Sequence, residues 1–131
     1  MKLEIERFLL EQEEEGMRFV LPEAFCESEY VLIPGFVKES LIVLTQKMFE
    51  KFQQAAMQAS AQGIRLARVF MMNAYFAEVE EGTVLLPCPL LEKTGVKADE
   101  VWCVKEEEGR YHLATGQALA DLFKYLERKK A

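Results

Sequence analysis

GMRFVLPEAF (Gly16–Phe25) and GTVLLPCPL (Gly82–Leu90) are one phrase written twice. Each sets a glycine in a turn ahead of an apolar run that ends in Leu-Pro. Glycine takes the backbone angles of a tight turn, and proline cannot donate to a continuing ladder. Pro22 and Pro87 stand 65 positions apart. Each copy leads into a strand-rich stretch and then a helix opening at a threonine, Thr45 or Thr115. That period is too long for the usual solenoid repeats, and each half is too small to fold alone. The chain therefore reads as one domain, 1–131, made of two half-repeats, about 1–63 and 64–131, that share a core.

The flanking sequence fills in both halves. Residues 1–10 alternate charged and apolar side chains as a strand does, EQEEEG (11–16) reads as a charged turn, and RFVL (18–21) resumes the extended pattern. Tyr30–Ile33 is a short apolar run closed by Pro34-Gly35, and SLIVL (40–44) is the strongest strand signal of the first half. From Thr45 the residues Met48, Phe49, Phe52, Ala55, Ala56 and Ala59 recur at helical spacing. Helices are expected near 46–60, 64–72 and 116–128, with a short one from Leu90 to about Gly95. Strands are expected around the turn Glu80-Glu81-Gly82, at EVWCV (100–104) and at RYHL (110–113), with EEEG (106–109) as a second acidic turn.

Composition narrows the function. Half of the 131 residues are hydrophobic, so the chain can build a core. Lys plus Arg number 16 against 22 Asp plus Glu, a net charge of −6, which excludes a strongly basic nucleic-acid domain but not a focused basic face. The apolar runs are too short to span a membrane, and MKLEIERFLLEQEEE lacks the apolar core of a signal peptide. A cytoplasmic protein is expected. Cys26, Cys88 and Cys103 are an odd number without CxxC spacing, which suggests reduced thiols.

At the repeated phrase the chain resembles the MraZ family, relatives of the AbrB-like swapped-hairpin DNA-binding domains. The family pattern is Asp-x-x-x-Arg, an apolar strand and Pro, present twice. Here it stands as Glu14-x-x-x-Arg18-Phe19-Val20-Leu21-Pro22 and as Val79-x-x-x-Thr83-Val84-Leu85-Leu86-Pro87. ESLIVLTQKMFEKF (39–52), LARVFMMNAYFAEVE (66–80) and GVKADEVWCV (95–104) fall in the family's order, so the likeness runs over about 12–128. The resemblance implies an α+β fold, a tandem pseudo-twofold swapped-hairpin barrel with helices, in which strands 18–22 and 84–87 meet in one sheet. It also implies a ring-like homo-oligomer and sequence-specific binding to double-stranded promoter DNA as a transcriptional regulator, nucleoid-associated in the cytoplasm. The departures bear on that function. The second copy has Val79 and Thr83 where the family has its acid and arginine, Gly16 sits one residue early, and Cys26 and Leu91 stand where an arginine is common. A member that kept the scaffold and lost DNA contact, serving as a protein-interaction module, is the alternative.

The candidate DNA-binding residues are Arg18, Glu14, Thr83, Arg65 and Arg68. Arg18 follows a tight turn and offers a planar fork to a phosphate or base edge; its structural alternative is a surface ion pair with Glu14. Arg65 and Arg68 share a helix face by their spacing and would join Lys47 and Lys51 in a basic stripe; a solvated face is the plainer reading. Glu11, Glu13, Glu14 and Glu15 would repel phosphates. His112 with three scattered cysteines has no zinc spacing. Cys103 reads as a core or interface thiol, and Cys88 has no basic partner in the sequence to activate it. The runs Glu13–Glu15, Glu80-Glu81 and Glu106–Glu108 read as solvated turns. No phosphate loop, GxSxG or HExxH occurs, so the expectation is a protein without enzymatic activity, cofactor, metal or small-molecule substrate.

Overall fold

The two copies of the phrase meet. A computed structural model describes residues 4–22, 25–59 and 72–130. In it β2 (Gly16–Val20) lies antiparallel to β6 (Thr83–Pro87), with Met17 opposite Leu86, Arg18 opposite Leu85 and Phe19 opposite Val84. The approach is tight enough that a Cβ on Gly16 would sit 2.0 Å from the Leu86 carbonyl oxygen. Gly82 serves a different need. Glu81 and Gly82 both have positive φ, 51° and 76°, the signature of a two-residue hairpin turn.

The other strands are β1 (Glu4–Glu13), β3 (Glu29–Pro34), β4 (Ser40–Thr45), β5 (Tyr75–Glu78), β7 (Glu100–Glu107) and β8 (Arg110–Ala114). All pairings are antiparallel, in the order β5-β3-β4-β8-β7-β1-β2-β6, and the sheet curls until its end strands β5 and β6 nearly close a barrel. With α1 (Gln46–Ala59), α2 (Cys88–Thr94) and α3 (Leu119–Lys130), this is an α+β fold with three helices among the described residues.

Period-two alternation divides the apolar side chains between two faces. Phe19, Tyr30, Leu32, Leu41, Val43, Val84, Leu86 and Leu113 fill the interior. On the outside, Val31, Ile33, Ile42 and Leu44 meet Phe49 of α1, while Val104 and Ala114 meet Leu122 and Leu126 of α3. Strands β4 and β8, covered on both faces, are buried nearly throughout. That explains why SLIVL is a continuous apolar run rather than an alternating one.

The pairings exchange in a regular way. Arg18 and Thr83 are 65 residues apart, and a shift of that size carries the Arg18–Leu85 pair onto Val20–Thr83 and leaves Phe19 facing Val84. Ser40–Ala114 and Leu44–Arg110 exchange about the Ile42–His112 pair by a longer shift, the one that takes Ile42 to His112. Exchanging β1 with β5, β2 with β6, β3 with β7 and β4 with β8 leaves the order round the barrel unchanged.

Several expected boundaries move. β1 continues through Glu11, Gln12 and Glu13, so the first acidic turn shrinks to Glu14-Glu15. β7 likewise runs to Glu107 and leaves Glu108-Gly109 as the turn. Cross-strand pairing holds these glutamates extended despite their poor strand propensity. Thr45 caps α1, accepting the Met48 N–H at 3.2 Å. Thr115 does not cap a helix at 116. Its hydroxyl donates to Glu39 Oε1 (3.4 Å), residues 116–118 form a turn, and α3 begins at Leu119 and reaches Lys130. The short helix starts at Cys88, two residues before Leu90, and ends at Gly95, whose left-handed φ of 79° lets its N–H reach the Leu91 carbonyl. The helix expected over 64–72 lies outside the described residues apart from its last position.

Candidate functional site

Arg18 points outward because Met17 and Phe19 point in. Directly across β1 is Glu11, and Glu13 lies diagonally on the same face. The Arg18 fork takes the Glu13 carboxylate at both ends, Nε donating to Oε2 at 2.8 Å and Nη2 to Oε1 at 2.9 Å. Nη1 turns the other way, 3.4 Å from Thr83 Oγ1 and 3.8 Å from Glu80 Oε2. The partner is therefore Glu13 and not the expected Glu14. Glu14 sits in the turn, off the shared face, and its carbonyl lies 3.9 Å from the Cys88 thiol, which donates to it. Hydrogen bonds from Arg18 hold the Glu13 carboxyl below its ordinary value, and the same bonds are the main cause that raises Arg18.

The two loops thus form one site. Arg18 and Thr83 touch, and Thr83 anchors its own turn by donating to the Glu80 carbonyl at 2.7 Å. Glu11, Glu13, Glu80 and Glu81 surround them around one shallow depression. Among the described residues the balance there is one guanidinium against four carboxylates. Arg65 and Arg68 lie outside the described residues; Lys47 and Lys51 are exposed on α1.

No family model matches this chain, and no curated protein matches it.

Next to this site the barrel stays open. Beyond the Glu80–Thr83 bridge, β5 and β6 part, leaving a groove of about 530 Å³. Leu32, Tyr75 and Ala77 lie on its inner side, with Leu85 and Pro87 along one wall. Glu15, Arg18, Glu78 and Glu80 add a polar, mainly acidic rim.

A second constellation was not legible as such in the sequence. Glu106, expected in a solvated turn, is 9% exposed and holds two buried side chains. Arg110 Nη2 donates to Glu106 Oε2 at 2.5 Å and to Glu107 Oε1 at 2.7 Å, and His112 Nε2 lies 2.7 Å from Glu106 Oε1. The Arg110 guanidinium also stacks over the Phe52 ring of α1 at 4.7 Å. This network lies on the outer face of β8 and ties the β7–β8 hairpin to α1. Plain alternation about the Glu108-Gly109 turn would set Glu106 on the inner face with Tyr111; the bulge between Lys105 and Glu107 turns it outward beside Arg110 and His112, and a bulge leaves no period in the sequence.

Cys103 faces the barrel interior, where burial pushes its thiol up to about 12, so it stays protonated and inert. Among the described residues no group of three His, Cys, Asp or Glu side chains is arranged to hold a metal ion. No helix among them is long and apolar enough to cross a membrane.

Proposed function

We propose that this chain is a divergent relative of MraZ-type proteins that acts as a homo-oligomeric protein-interaction module, without direct duplex contact through its loops. One observation carries this reading: the Arg18 guanidinium is already paired bidentately with Glu13 inside a ring of glutamates. To reach a phosphate, Arg18 would exchange that partner and bring four carboxylates towards a polyanion, which Coulomb repulsion opposes. The second loop offers Thr83 and adds no cation. The barrel and the exchange of strands supply the support for a swapped-hairpin scaffold of two half-repeats, 1–63 and 64–131. Self-association is supported by Ile5, Leu9 and Val20, apolar side chains on the outward face of the β1–β2 hairpin that are 47%, 65% and 51% exposed.

A cytoplasmic DNA-binding regulator is the second reading. It is favoured by the contact between Arg18 and Thr83, which makes the two loops one continuous edge. An oligomer would repeat that edge many times, and Arg65 and Arg68 would add charge.

Selection from a randomised duplex pool at about 50 to 200 mM salt separates the two, with wild type and Arg18→Ala run side by side and their masses followed by light scattering. The module reading expects no enriched sequence even at low salt, and a mass that is a multiple of 15.1 kDa for both proteins. An enriched sequence that Arg18→Ala loses would establish the regulator instead. A salt-sensitive signal equal in both would move the contact to Arg65 and Arg68. A single 15.1 kDa species would end the oligomer.

A further inference from the structure

The open groove between β5 and β6 has the backbone of an incomplete sheet. Leu21 N–H donates to the Gly82 carbonyl and Cys88 N–H to the Glu15 carbonyl, both at 2.9 Å. By the alternation of an antiparallel ladder, Val84 and Leu86 then direct their N–H and C=O groups at β2, and Leu85 directs both of its own into the groove. On β5, Val79 N–H donates to the Ser28 carbonyl at 2.9 Å, so Phe76 and Glu78 turn their backbone groups away from β3 and towards the same space. The edges join where Glu80 and Thr83 exchange bonds of 2.8 and 2.9 Å, then diverge. Continued pairing would set Phe76 opposite Pro87, which has no N–H to give. The corresponding hairpin, β1–β2, is zipped from Glu13–Gly16 to Leu10–Phe19.

We propose that this groove takes up an extended segment of another protein as an added strand, one whose apolar residues alternate with Lys or Arg. The inference rests on the protein-interaction reading and names its partner class. Period two would point one set of the guest's side chains inward onto Leu32, Tyr75 and Ala77, and the other outward beside the acidic rim. Charge specifies that outer set. Glu78 lies opposite Glu29 in the β3–β5 register, a like-charge pairing that a cation relieves, and Glu80 stands beside it at the rim. A second copy of this chain, at −6, brings the wrong sign.

The test uses the full chain and an end-blocked peptide of about eight residues, an ordinary strand's length, alternating Lys and Val. Three control peptides are alternating Glu and Val, the Lys–Val composition in two blocks, and Lys–Val with alternate amides N-methylated. Fluorescence anisotropy is expected to give binding of the alternating Lys–Val peptide at least about tenfold tighter than any control. Glu78→Lys combined with Glu80→Lys, checked for folding by circular dichroism, is expected to lose it by a similar factor. Amide exchange at Leu85 and Glu78 is expected to slow on binding. Equal affinity for the blocked and alternating peptides would reduce the effect to charge alone and overturn the proposal. So would absence of binding, or binding without protection of Leu85. Each of these three outcomes leaves the duplex-selection result untouched, so the interaction-module reading stands or falls separately.

Discussion

Arg18 and Arg110 make the same chemical pair with glutamate and differ in what surrounds it. The Arg18–Glu13 pair is near the surface, its carboxylate side chain 40% exposed, so it fixes the direction of the fork while adding little to stability. The Arg110–Glu106 pair is closed off, with both side chains under 10% exposed and His112 drawing on the same carboxylate. Removing Glu106 would strand a buried guanidinium with half-exposed Glu107 as its remaining acid, and leave His112 Nε2 without its acceptor. Glu106→Ala is expected to cost about 3 kcal/mol, and Arg18→Ala to leave the urea midpoint nearly where it was. Equilibrium urea unfolding of the two variants checks this. Equal shifts would mean that the Glu106 network is as wet as the Arg18 pair.

Among the elements, the two threonines chosen alike in the sequence diverge in the fold. Thr45→Ala is expected to cost about 1 kcal/mol and to quicken amide exchange at Met48, whose N–H the hydroxyl accepts. Thr115→Val should leave exchange at the start of α3 unchanged, because that helix opens beyond it, at Leu119. Comparable loss of helix protection in both would contradict the assigned caps. The strands were legible in the sequence because alternation and β-branching act locally: SLIVL, RYHL and TVLLP are strands as read, while the first Leu-Pro phrase is a strand from Gly16 to Val20 that takes in the expected turn glycine and stops before Leu21-Pro22. Strand ends were less legible. Glu11–Glu13 and Glu107 stay extended because a neighbour strand pairs with them, and pairing across a turn leaves no mark in the residues' own propensities. For the same reason Arg18 stood out, while its choice of Glu13 over Glu14 depended on which residue shared its face. The open β5–β6 groove was not legible, since it is defined by a pairing that stops.

For the whole molecule, the buried thiol and phenols predict how stability changes in alkali. The Cys103 thiol is held at about 12 against an ordinary 9.0, and burial raises Tyr30, Tyr111 and Tyr125 as well. Between these limits the unfolded chain sheds the Cys103 proton while the folded one keeps it, so unfolding gains and stability falls as pH rises. Urea midpoints are expected to be level below pH 9 and to decline steadily from there towards pH 12, with a shallower decline in Cys103→Ala. A flat alkaline limb would mean that the thiol reaches solvent. The barrel also has a history in time. Residues 4–9 find their partners at 100–105, and β2 waits for β6. At about 5–20 residues per second, a ribosome takes roughly 3–20 s to supply the second half of these pairings. Through that interval the nascent chain carries β1, β2 and β4 with edges that nothing of its own can yet cover. Its yield in the cell therefore depends on how crowded its neighbours are while it is being made, as much as on how stable it is once finished.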